Sequence, residues 1–169
     1  MIFATRLNSF ITKEASKNTL QLIDEVAKVR GINGIEFNYP QHFNGISSKE
    51  INEKLNKYKL IATGVSLRFS DVFKDGEFIS LNDRIVEKAV RIVENAIEKS
   101  REIGAKMVTI CPVYDGFEYS FRLDYNKARN MQIEIIKQIA KNNSDINISL
   151  EYKPYSPKGY NIISDIGTA

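Results

Sequence analysis

Gly34-Ile35-Glu36-Phe37-Asn38-Tyr39-Pro40 is the stretch on which the fold turns. It is a short β-prone run that stops at a proline, where a strand ladder cannot continue. From about Ser16 to Arg30 before it, Leu20, Ile23, Val26 and Ala27 recur at helical spacing, and Gly31 closes the pattern as a C-terminal glycine does. Met1-Ile2-Phe3-Ala4-Thr5-Arg6-Leu7, earlier still, is another β-prone run. The first forty residues therefore make one β-α-β unit.

The alternation continues outward from that unit. Ser47 and Ser48 are plausible caps for a helix through Ile51 and Leu55 that ends near Tyr58. A third strand is expected from Ala62 to Phe69. Ser80-Leu81-Asn82-Asp83 starts the strongest helix, with a stripe of Ile85, Ala89, Ile92, Ala96 and Ile97, closed by Gly104. Lys106 to Cys111 is a fourth strand, Asp124 caps a helix facing inward with Met131, Ile135, Ile136 and Ile139, and Ile146 to Glu151 is a fifth strand. Strict alternation with short connections argues a parallel sheet with right-handed crossovers. A doubly wound sheet would carry a glycine fingerprint after its first strand, yet that turn reads Asn8-Ser9-Phe10-Ile11-Thr12-Lys13. The expected architecture is an incomplete (β/α)8 TIM barrel, (βα)4 plus a fifth parallel strand. Residues 1–169 are expected to be one N-terminal portion without strands six to eight, since a whole barrel takes about 250 residues.

The composition, 43% hydrophobic and 27% charged over 169 residues, suits an ordinary globular chain. Twenty-four basic against 21 acidic residues leave +3, too mild and too dispersed to favour nucleic acid. Cys111 is the single cysteine, which fits a reducing cytoplasm, and a small apolar strand-end role is favoured over a nucleophile. No apolar run approaches about 18 residues and no signal pattern opens the chain, so neither secretion nor membrane insertion is expected.

In a parallel sheet the carboxyl ends of the strands bring together Asn8, Glu36 with Asn38, Arg68, Cys111 with Asp115, and Glu151 with Lys153. Glu151 and Lys153 are two positions apart and so point the same way. Glu36 and Arg68 suit either an ion pair or a substrate contact, and Asn8 suits a turn-capping amide. His42, the one histidine, reads as a surface loop residue. The aromatic residues at 114, 117, 119, 121 and 125, interleaved with Asp115, Glu118, Ser120 and Arg122, fit equally a satellite core or a sugar-binding wall.

Arg6-Leu7-Asn8-Ser9-Phe10, Glu36-Phe37-Asn38-Tyr39-Pro40-Gln41-His42, Asp115-Gly116-Phe117-Glu118-Tyr119, Asp124-Tyr125 and Glu151-Tyr152-Lys153-Pro154 resemble the xylose isomerase-like TIM barrel superfamily, and within it the rhamnose-isomerase-like sugar isomerases. The resemblance implies a sugar isomerase or epimerase that interconverts aldose and ketose with Mn²⁺, Mg²⁺ or Co²⁺. It makes Glu151 the strand-five metal ligand and Lys153 the catalytic lysine at the substrate oxygen. Asn8, Glu36, His42, Arg68, Asp115 and Tyr119 become substrate-binding candidates. It departs at Cys111-Pro112-Val113, where relatives carry tryptophan-proline-glycine, and in the absence of any tryptophan. Little activity is expected of the chain alone. The alternative is a non-enzymatic half-barrel whose exposed sheet edges self-associate or complement another chain. The superfamily's DNA-repair branch needs a histidine-rich multi-metal cluster and a basic face, which one histidine and +3 do not supply.

Overall fold

A computed structural model of the protein describes residues 1–11, 18–119, 123–154 and 159–169. Seven strands are present among them: β1 (Ala4–Arg6), β2 (Gly34–Tyr39), β3 (Ile61–Leu67), β4 (Met107–Ile110), β5 (Gly116–Phe117), β6 (Asn147–Leu150) and β7 (Tyr160–Asn161). Five of them form a parallel sheet in the order β1-β2-β3-β4-β6, and β5 with β7 makes a separate antiparallel ribbon. Four helices accompany them: α1 (Thr19–Ala27), α2 (Ser48–Tyr58), α3 (Asp83–Glu102) and α4 (Tyr125–Asn142). The described residues fall into two compact units, residues 1–67 with 96–108, and 68–95 with 109–169.

The first unit is built on β1, β2 and β3, paired in parallel with Arg6 opposite Glu36 and Asn38 opposite Ser66. The register slips by one residue between Ile35 and Glu36, so β3 carries a bulge around Thr63. Ile35, Phe37 and Val65 are fully buried. Because side chains alternate across a strand, Glu36 and Asn38 occupy the opposite face. The apolar stripe of α1, Leu22, Ile23 and Val26, and that of α2, Ile51 and Leu55, complete this core. Both helices start in capping boxes. Asn18 accepts from the Gln21 N–H at 3.0 Å while Gln21 reaches back to the Asn18 N–H at 2.9 Å, and Ser47 and Glu50 do the same for α2. The expected start of α1 near Ser16 lies outside the described residues, and the helix stops at Ala27, short of Arg30.

Along α3, Ala89, Ala96 and Ile97 of the expected stripe are fully buried and Val93 beside them is too, whereas Ile85 and Ile92 are half-buried. The inward face of α4 differs from the expected one. Ala128, Gln132 and Ile139 are its buried residues, whereas Met131, Ile135 and Ile136 are half-buried. The helix is turned toward a polar glutamine because a buried carboxylate binds that amide, as described below. The third strand ends at Leu67 rather than Phe69, which leaves Arg68 exposed beyond it. β6 ends at Leu150, and Glu151 stands just past it with its N–H still donating to the Ile110 carbonyl at 2.9 Å.

Candidate functional site

In the first unit the sequence-predicted residues divide into two hydrogen-bonded groups. Glu36 pairs with Arg6, whose Nε lies 3.3 Å from Glu36 Oε1, and the same oxygen accepts from the Ser66 hydroxyl. Within the first unit the cation paired with Glu36 is therefore Arg6, its register partner. The second group corrects the reading of His42. This residue is 2% exposed, within the one-turn 3-10 helix Gln41–Phe43 that follows β2, rather than on the surface. Its Nδ1 accepts the Asn38 backbone N–H at 2.8 Å, so the ring proton sits on Nε2, which lies 2.8 Å from Asn8 Oδ1 and donates to it. The Asn8 amide is thereby fixed with its oxygen toward the imidazole and its nitrogen left as donor.

Burial pushes the His42 pKa down to about 4 from 6.5. Protonation would also require Nδ1 to surrender the Asn38 N–H. A histidine held neutral contributes stability that is present above its unfolded pKa and is lost as pH falls toward its folded one. The stability gap between the wild type and His42→Gln, followed by urea unfolding, is therefore expected to move against the wild type by about 3 kcal/mol from pH 6.5 to pH 4.

In the second unit, Glu151 and Lys153 emerge together, with Nζ 3.8 Å from Oε1 and each side chain about 40% exposed. Glu151 lines a shallow cleft of about 450 Å³ with Thr109, Ser149 and Tyr152. The main chain of Lys153 is held from both sides by the segment 161–163, to which sequence reasoning assigned no role. Its N–H donates to the Ile163 carbonyl at 3.0 Å, and its carbonyl accepts from Asn161 Nδ2 at 2.6 Å. Residues 160 and 161 are in turn tied into β7 opposite β5, and the Ile162 N–H reaches the Asp115 carbonyl at 2.9 Å. Cys111 is half-buried, and burial first, then the Glu151 carboxylate, raise its thiol to about 11. It is therefore protonated at neutral pH, in keeping with a packing residue.

Asp115 is fully buried. Its two oxygens accept the N–H groups of Glu77 (2.6 Å), Phe78 (3.2 Å) and Ile79 (3.4 Å) and the Gln132 amide (2.8 Å). Those contacts make it the anchor of the loop after β3, a use that differs from direct substrate contact. Phe117 is buried with Ile79, Ala128 and Ile162, and Tyr125 packs on them, so these two aromatics belong to a satellite core. Tyr119 is 56% exposed at the end of β5, while Ser120, Phe121 and Arg122 lie outside the described residues. Arg6, Ser66, Asn161 and Gln132 were missed from the sequence. Arg6 is set opposite Glu36 by the strand register, whereas Ser66 stands opposite Asn38 and reaches Glu36 diagonally.

A divalent hard cation takes about six oxygen ligands. Among the described residues no three His, Cys, Asp or Glu side chains converge to hold one. Glu151 has an ammonium and a protonated thiol for neighbours, so the described residues do not by themselves build the metal centre that the resemblance implies.

The sequence model of the xylose isomerase-like TIM barrel matches residues 23–169. The chain belongs to that family. Solved structures of xylose isomerase-like barrels superpose on it closely. The 3-keto-D-glucoside 4-epimerase of E. coli covers 100% of the chain at TM-score 0.70 and 16% identity. D-allulose 3-epimerase from Methylomonas sp. covers 95% at 0.73 and 19%, and an AP endonuclease, family 2, from Brucella melitensis covers 95% at 0.67 and 17%. At these identities the likeness is one of fold. The chain spans 62%, 53% and 59% of those three proteins' lengths. The expected five-stranded parallel array of a TIM barrel is thus present. No helix among the described residues is long and apolar enough to cross a membrane.

Proposed function

We propose that this chain carries part of a sugar isomerase or epimerase site, with Lys153 as its catalytic cation and Glu151 beside it. The single observation behind this reading is the 3.8 Å pairing of ammonium and carboxylate just past the end of β6, in a family whose solved neighbours include sugar epimerases. Sugar isomerisation and epimerisation can both proceed by removal of a proton from the carbon next to a carbonyl, which places negative charge on the carbonyl oxygen. A fixed ammonium stabilises that charge without reorganising during the reaction. Glu151 holds the ammonium in orientation, and the clamp from Asn161 and Ile163 fixes the main chain beneath it. Glu151 is also this chain's candidate carboxylate toward a divalent cation such as Mn²⁺, Mg²⁺ or Co²⁺, whose other ligands would lie outside the described residues. In the neighbourhood of Asn8, Glu36 and His42, the direct contacts are assigned to Asn8 and Glu36, and His42 acts through Asn8.

The test is exchange of the substrate C–H proton with D₂O, followed by NMR on ketohexoses and aldohexoses in the presence of Mn²⁺. Lys153→Met is expected to reduce any exchange by roughly 10²-fold or more. Glu151→Gln is expected to reduce it too, and exchange that survives both substitutions at full rate would remove the assignment. A second reading is assembly through a sheet edge, favoured by Met1, Ile2 and Phe3, which leave apolar side chains 58 to 101% exposed beside β1. A second copy or another chain paired there would cover them.

A further inference from the structure

Asn38 is 1% exposed, and neither its amide nitrogen nor its amide oxygen has a hydrogen-bond partner among the described residues. Buried amides are almost always satisfied, because desolvating one without a partner is unfavourable. The residue is not loosely placed. Its backbone N–H is committed to His42, and it lies in the last turn of the pleat before Tyr39 and Pro40.

The surroundings narrow what would satisfy it. On the same face of β2, two residues back, stands Glu36, whose side chain keeps 25% of its area open and gives a route of approach. Ser66 is the register partner of Asn38, and its hydroxyl is given to Glu36. Arg6 and Glu36 neutralise each other at 3.3 Å. Among the described residues of the first unit, this face therefore presents no unmatched charge to a phosphate or a carboxylate. An amide offers a donor and an acceptor side by side, which is the complement of a hydroxyl group that accepts and donates at once.

We infer that Asn38 is a specificity-determining residue that reads a hydroxyl of a neutral, non-phosphorylated carbohydrate, with the Asn8 amide nitrogen and the Glu36 carboxylate beside it. This rests on the carbohydrate reading above and adds to it the class of sugar. Sites built to hydrogen-bond a hydroxyl discriminate strongly, since their polar groups are left unmatched by a ligand that lacks it.

The experiment is an NMR titration of the ¹⁵N-labelled chain with D-fructose and, separately, D-fructose 6-phosphate, on the wild type and Asn38→Leu. The side-chain amide signal of Asn38 is expected to move with D-fructose. Asn38→Leu is expected to bind it about tenfold more weakly without melting at a lower temperature, because leucine removes both unmatched polar atoms at similar volume. The phosphate ester is expected to bind more weakly than the free sugar. The amide signal of the unsubstituted chain is a readout that does not depend on the variant folding. If D-fructose shifts other resonances while Asn38 stays silent, or binds Asn38→Leu undiminished, this inference falls and the carbohydrate reading stands. An ordered water alone on the Asn38 amide in sugar-soaked crystals has the same consequence. Tighter binding of the phosphate ester overturns the neutral class. No shift anywhere overturns both readings.

Discussion

Replacing Asp115 with alanine is expected to cost about 3–5 kcal/mol of stability at neutral pH, read as a lower urea midpoint at an unchanged slope. The substitution strands three consecutive backbone N–H groups, those of Glu77, Phe78 and Ile79, together with the Gln132 amide. Each buried donor left without an acceptor costs about 1–3 kcal/mol, and none of these can reach solvent without moving the loop. Asp115→Asn keeps the size and one acceptor oxygen, so it is expected to lose less. A loss under about 1 kcal/mol for the alanine variant would mean that the loop finds other partners.

The same carboxyl has a pH signature opposite to that of His42. Burial is the largest influence and raises its pKa from 3.8 to about 6, against the pull of its hydrogen bonds. An acid raised in this way contributes stability that is complete below its unfolded pKa and is lost as pH climbs through about 6. Acidification from pH 6.5 to 4 thus strengthens the Asp115 contribution while it weakens that of His42. The two contributions oppose each other over that range, so Asp115→Asn should steepen the decline on acidification relative to the unsubstituted protein.

Gly116→Ala is the second substitution expected to act strongly, with a loss of about 2–4 kcal/mol in thermal or urea unfolding. A methyl group there would stand 2.7 Å from the Tyr160 carbonyl oxygen and 3.0 Å from the Asn161 Cα, both of them main-chain atoms that cannot swing aside. β5 and β7 are two residues each, joined through Gly116 opposite Asn161 and Phe117 opposite Tyr160, so the ribbon has no reserve of pairing to absorb the displacement. Separating it would pull Phe117 from Ile79, Ala128 and Ile162. It would also move Asn161 away from the Lys153 carbonyl. Hydrogen exchange at the Lys153 amide is expected to quicken in the same variant. An unchanged exchange rate would show that the clamp on Lys153 is independent of the ribbon.

The repeating part of this fold was legible because it is written locally. Strand, helix and cap each occupy a few consecutive residues, and the Asp124 cap, the Ser47 or Ser48 start of α2 and the Ala89, Ala96 and Ile97 part of the α3 stripe could be read from spacing alone. The ribbon was not legible, since two-residue strands have no period and Gly116 finds Asn161 only beyond α4 and β6. Gln132 was passed over because an apolar pattern is sought on the buried side of a helix, and only the buried Asp115 makes a glutamine belong there. His42 read as a surface residue because its partners, the Asn38 main chain and the Asn8 amide, are joined to it by the packing of β1 and β2 rather than by any motif. Glu151 and Lys153 were legible as a pair from the two-residue spacing; what fixes them was not, because it arrives from residues 161 and 163.

The tautomer imposed on His42 has one more consequence. This chain has a single imidazole, and it carries no charge change anywhere near neutrality. A bell-shaped rate profile with an inflection between pH 6 and 7, the range in which enzymologists assign histidine by habit, would not report the ionisation of this imidazole.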